Sequence, residues 1–223
     1  MLTHAAFSEA AERVLDGYIA SVDDPYAVTH RIQITSYGGS GTTALRDHCQ
    51  DAGLDVPRSP DSWPFKHARV PPAAADVPDG FRAIYVYGDP RDAVRSIFRR
   101  GLQLGHYSLL HDLRRPSPEV EARLESLERY TEAGIDDFGL EEHFDNWAAA
   151  AGYPVLLLRF ESLPTTWPTV ATFLGLPSGH PAPPVLTRHV PDDTSSSTFS
   201  SLTAMHAALL RRIESIEPVV ISD

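Results

Sequence analysis

Residues 30–45, HRIQITSYGGSGTTAL, constrain the fold of this chain more than any other stretch. The apolar run that begins at His30 and ends at Tyr37 reads as a buried strand. Gly38-Gly39-Ser40-Gly41 cannot continue it and reads as a turn. Thr42-Thr43-Ala44-Leu45 opens a helix. Strand, glycine turn and helix in that order aim several backbone N–H groups and a helix N-terminus at one spot, which is an anion site. A phosphate or sulfate ester is the occupant that fits. The string is not a complete Walker A motif, because Thr42 stands where the lysine is required, so an ordinary ATPase or GTPase is disfavoured. A glycine turn between a strand and a helix with no ligand fits the same residues.

Residues 81–96, FRAIYVYGDPRDAVRS, repeat the pattern. An apolar strand over 83–87 leads into Gly-Asp-Pro and an amphipathic helix, with Asp89 at the N-cap and Pro90 in the first turn. A third apolar run at 155–160 reads as a buried strand. Helices are expected over 4–21, 118–133, 138–152 (with Phe144 and Trp147 facing inward), 165–174 (with Pro168 in its first turn) and 202–216. A short strand is expected around 63–66, a mobile loop over 102–118 and a loop over 177–200. Strands alternating with helices predict an α/β fold, a parallel sheet with helices on both faces, in a single domain over 1–223. Ligands in such folds sit at the carboxyl ends of the strands, where both glycine turns lie.

The formal net charge of −11 argues against nucleic acid and against anionic membranes as partners. Cys49 is the only cysteine, so no intramolecular disulfide forms, and its helical position reads as core. The opening residues carry neither a basic region nor a long apolar stretch, so a cytoplasmic location is expected, with no membrane span. The His residues show no paired ligand spacing, and no metal is expected. Lys66 is the single lysine of the chain.

At this point the chain resembles the sulfotransferase family. Thr35–Thr43 reads TSYGGSGTT, similar to the family's 5′-phosphosulfate loop T-Y-P-(K/R)-S-G-T-T. Gly88–Ser96 reads GDPRDAVRS, similar to its 3′-phosphate motif R-(D/N)-P-(R/K)-D-x-x-x-S. Tyr153–Leu163, YPVLLLRFESL, resembles its late strand, and FLGL follows at 173–176. The resemblance spans about 30–176 and implies a P-loop-like architecture. It also implies 3′-phosphoadenosine 5′-phosphosulfate as co-substrate and a small hydroxyl- or amine-bearing acceptor. Two departures stand out: Gly39 replaces the basic residue of the first motif, and Gly88 replaces the leading arginine of the second. A charge-assisted phosphate contact contributes about 1.5–3 kcal/mol.

By the resemblance, Gly38, Gly39, Ser40, Gly41, Thr42 and Thr43 grip the 5′ end of the donor. Ser96 and Arg91 match the second motif, and Arg95, Arg99, Arg100 and Arg188 are candidates to replace the lost cations. Lys66-His67 falls where the family places its K-(T/S)-H or K-H pair. His67 is the base candidate, since a neutral imidazole takes a proton at working pH, and Lys66 would bridge to the transferring group. A surface Lys-His pair at a strand end fits the local sequence as well. Two other functions remain open: a phosphotransferase using a nucleoside triphosphate and Mg²⁺, and a family member that binds a nucleotide or partner without turnover.

Overall fold

The computed structural model describes residues 28–57, 65–149, 151–184 and 195–222. The helix expected over 4–21 lies outside these residues, as does Arg188. A four-stranded sheet forms the centre, in the order β1 (Ile32–Thr35), β2 (Arg82–Tyr87), β3 (Val155–Arg159), β4 (Val219–Ser222). The first three strands are parallel, and β4 pairs antiparallel with β3. The sheet is therefore mixed, not all-parallel, because β4 adds a half-exposed antiparallel edge.

Helices cover both faces. α1 (Thr42–Asp51) follows β1 and α2 (Pro90–Arg99) follows β2. Then come α3 (Gln103–Leu110), α4 (Pro118–Leu124), α5 (Leu127–Ala133) and α6 (Leu140–Ala148). α7 (Leu163–Leu174) follows β3, and α8 (Ser196–Met205) and α9 (Ala207–Ser215) precede β4. Alternation along β2 sorts the core into two layers. Tyr85 and Tyr87 join Val94 and Ile97 of α2, Phe144 and Trp147 of α6, and Leu209 and Ile213 of α9. Ile84 and Val86 join Leu45 and Cys49 of α1 and Trp167, Val170 and Leu174 of α7. Strands buried on both faces read as continuous apolar runs for this reason. Cys49 is core as expected, and burial pushes its thiol up to about 12.

β1 lies at one edge, and an open edge leaves backbone donors unpaired. The chain itself covers that edge on its way to β2. The Ile32 amide donates to the Asp55 carbonyl at 3.1 Å, and the Ser36 amide to the Lys66 carbonyl at 3.0 Å. This zippering brings Lys66 and His67 to the glycine turn.

Several boundaries differ from the sequence expectation. The stretch 102–118 contains the helix α3, whose Leu109 and Leu110 are buried, so it is not a loop throughout. Residues 118–133 form two short helices, because Ser126 caps a new one through the Arg129 amide. The 3₁₀ turn Phe65–His67 stands where a strand was expected at 63–66; Trp63 and Pro64 lie outside the described residues. α7 begins at Leu163, which puts Pro168 inside the helix and leaves Pro164 in the first turn. α8 starts within the stretch expected to be loop, and the expected final helix is two.

Candidate functional site

The first glycine turn is held on two sides by close packing. Gly38 and Gly39 both have positive φ, at 100° and 65°. A Cβ on Gly38 would run into the His106 ring, and one on Gly39 would sit 2.8 Å from the Ala93 Cα of α2. The basic side chain that the family carries at position 39 has no room here. Gly41 then ends the turn in the left-handed region, with no side chain capping α1. Among the described residues, the amides of Ser40, Gly41, Thr42 and Thr43 have no hydrogen-bond acceptor. An uncapped helix start of this kind is the electropositive end of the helix dipole.

The second turn is built differently. Asp89 caps α2, accepting from the Arg91 amide at 2.8 Å, with Pro90 at the first helical position. Its carboxylate also takes the Arg91 guanidinium at 2.5–3.1 Å. Burial alone would raise the Asp89 carboxyl, but these bonds hold it below the usual range. Arg91 in turn reaches the Thr203 hydroxyl at 3.3 Å and lies 4.6 Å over the exposed Phe199 ring. The N-terminus of α2 thus already holds an anion of its own, and Arg91 is engaged by it. Ser96 sits further along α2, and Arg95 pairs with Asp92 at 3.3 Å.

Lys66 and His67 converge on the first turn. Lys66 Nζ donates to the Thr43 hydroxyl at 2.5 Å. Burial, then the charges of Arg46 and Arg100, push the Lys66 amine down to about 8. His67 is buried, and its Nδ1 lies 2.9 Å from the Ser36 carbonyl. A carbonyl only accepts, so Nδ1 carries the hydrogen and Nε2 keeps its lone pair. Burial, followed by the charges of His106 and Lys66, holds the imidazole well below its ordinary value, so it is neutral.

One face of α6 fixes this segment. His143, Asn146 and Trp147, spaced as neighbours on a helix surface, donate to three consecutive carbonyls. His143 Nε2 reaches His67 at 3.4 Å, Trp147 reaches Ala68 at 2.7 Å and Asn146 reaches Arg69 at 3.3 Å. His143 Nδ1 accepts from the Tyr85 hydroxyl at 3.0 Å. His106 stands edge-on to His67 with ring centroids 4.4 Å apart, and its Nε2 donates to the Tyr37 carbonyl at 3.1 Å.

The structure therefore brings Gly38, Gly39, Ser40, Gly41, Thr42, Thr43, Lys66 and His67 together. Arg91 and Ser96 belong to the second turn and its helix, and Arg188 lies outside the described residues. Sequence reasoning missed Tyr37, Arg46, His106 and His143 as parts of this assembly. Tyr37 lay inside the quoted motif. His106 and His143 carried no local signal, since each acts by packing across the fold. No group of three or more His, Cys, Asp or Glu residues suited to a metal occurs among the described residues. No helix there is long and apolar enough to cross a membrane. Comparisons with protein-family models, with curated proteins and with solved structures return no match.

Proposed function

We propose that this chain is a single-domain sulfotransferase of P-loop-like architecture. It moves a sulfuryl group from 3′-phosphoadenosine 5′-phosphosulfate to a hydroxyl or amine of a small molecule. The observation that carries this reading is the meeting of Lys66 with Thr43. A cation delivered from another segment stands 2.5 Å from the hydroxyl at the start of α1, beside the open amides of 40–43. It supplies the positive charge that Gly39 cannot, and His67 follows it in the chain.

The residues divide the work as follows. His67 Nε2 takes the proton from the acceptor's hydroxyl or amine as that atom bonds to sulfur. The sulfur–oxygen bond to the 5′-phosphate breaks, and its electron pair leaves on the phosphate oxygen. Lys66 and the amides of Ser40, Gly41, Thr42 and Thr43 hold the charge that collects there. Ser36 keeps His67 in the required tautomer through its carbonyl.

One observation favours a phosphotransferase instead. Gly88 stands where the resembling motif carries its leading arginine, and the loss of that cation suits a nucleotide lacking the 3′-phosphate. Calorimetry with adenosine 3′,5′-bisphosphate and with ATP–Mg²⁺ separates the two. Tighter binding of the bisphosphate supports sulfuryl transfer, and tighter binding of ATP–Mg²⁺ supports the rival. A bisphosphate complex that supports no turnover with any acceptor makes the chain a binding protein.

A further inference from the structure

Two consecutive carbonyls just past β1 each receive an imidazole. The Ser36 carbonyl takes His67 Nδ1–H at 2.9 Å, and the Tyr37 carbonyl takes His106 Nε2–H at 3.1 Å. The two rings meet edge-on, with centroids 4.4 Å apart and planes at 61°. His67 comes from the segment zippered along β1, and His106 from the middle of α3. Their meeting is a product of the fold rather than of closeness in the chain.

His106 is confined on its other sides as well. Its ring fills the space that a Cβ on Gly38, the first residue of the glycine turn, would need. Phe138 meets the ring edge-on, with centroids 6.4 Å apart. The residue is only 5 % exposed, so in a close-packed interior the ring has one place to lie. A phenylalanine at 106 would fill that space but give Tyr37 no donor. A glutamine would reach the Tyr37 carbonyl but press no ring against His67. Histidine does both. The His67 ring needs such a neighbour, because a half-turn about its Cβ–Cγ bond would put a carbon against the Ser36 carbonyl and swing Nε2 to the opposite side.

We infer that His106 is a positioning residue for the proposed reaction: its ring keeps His67 in the orientation that presents the Nε2 lone pair to the acceptor, and its N–H fixes the start of the turn that takes the donor. The inference rests on the transfer reading above. One side chain then sets the base and the donor turn relative to each other, and a transfer between two bound partners depends on that placement.

Two variants of the full chain take the two contacts apart. His106→Gln keeps a donor for Tyr37 and removes the ring; His106→Phe keeps a ring and removes the donor. Nitrogen-15 NMR of the histidines reads the His67 tautomer, with His67→Gln assigning its signal. Calorimetry reads the affinity for adenosine 3′,5′-bisphosphate. The wild type should show His67 as the Nδ1–H tautomer alone. H106Q should show a mixture of tautomers at His67 with nucleotide affinity unchanged. H106F should keep the single tautomer and bind the nucleotide about threefold or more weakly.

A merely structural role would move both readouts together in both variants, and that result overturns the inference. A single Nδ1–H tautomer in H106Q overturns it too, as does the Nε2–H tautomer in the wild type. If neither variant folds, the wild type decides: cross-relaxation between the ring protons of His67 and His106 supports the inference, and its absence overturns it. If the wild type does not bind the nucleotide, it is the transfer reading that fails. The His67 tautomers of H106Q and H106F then still decide whether the His106 ring orients His67.

Discussion

The Tyr37 hydroxyl ties the two glycine turns together: it donates to the carbonyl of Gly88 and accepts from the Gly88 amide at 3.0 Å. Tyr37 is fully buried and follows β1, while Gly88 follows β2. One side chain thus fixes the spacing of the strand ends between which a ligand would lie. Tyr37→Phe keeps the ring and strands both polar groups of Gly88. Leaving a buried polar group unpaired costs about 1–3 kcal/mol. Urea denaturation should show a loss of that size, with weaker nucleotide binding.

Gly39 explains why a familiar cation is missing. Its φ of 65° and the 2.8 Å approach of Ala93 exclude a side chain. Gly39→Lys, which would restore the basic residue of the resembling motif, should therefore destabilise the chain by more than about 1 kcal/mol and weaken nucleotide binding. Thermal melts and calorimetry check both. A tighter-binding, equally stable variant would show that the turn relaxes to admit the side chain.

Stability should fall in mild acid. Burial holds His106 at about 4 and His143 at about 3, below the ordinary 6.5. Above pH 6.5 both folded and unfolded chains are neutral at these positions, and the stability is fully present. Below 6.5 the unfolded chain takes up protons that the folded chain refuses, so stability drops until pH approaches 3–4. From pH 6.5 to 5 each buried imidazole removes roughly 2 kcal/mol. Unfolding free energies from urea titrations at the two pH values should differ by about that much less in His143→Gln than in the wild type.

His67 carries the proposed proton transfer. His67→Gln should lower kcat by about 10²–10⁴ and leave nucleotide affinity nearly unchanged, because the base acts on the acceptor rather than on the donor. Steady-state kinetics alongside calorimetry gives both numbers. Equal kcat in variant and wild type would remove His67 from the reaction.

The parts of the fold that were legible are those whose chemistry is local. Asp89-Pro90 announces α2 through cap and first-turn preferences, and the apolar runs of β1, β2 and β3 announce strands buried on both faces. The glycine turn before α1 was equally plain. What escaped depends on distant partners. β4 is a short edge strand whose identity comes from pairing with β3, more than sixty residues away in sequence. α3 was hidden by flanking glycines and prolines, and its order comes from burying Leu109 and Leu110 and from seating His106 against Gly38. Pro168 misled because a proline inside α7 forfeits one bond to the carbonyl of Pro164 without ending the helix. In the site, Lys66 and His67 stand out in the sequence through the resemblance. The means of delivering them, zippering along β1 and clasping by α6, are three-dimensional facts with no sequence signature.

In the proposed site, the amides of 40–43 and Lys66 form one anion cradle. A crystal structure of the chain with adenosine 3′,5′-bisphosphate tests it most directly. The 5′-phosphate should lie within hydrogen-bond distance of the Ser40, Gly41, Thr42 and Thr43 amides and of Lys66 Nζ, with the Thr43 hydroxyl retained as a partner. A nucleotide bound with its 5′-phosphate away from this turn, or a turn left without phosphate at saturating nucleotide, would contradict the account.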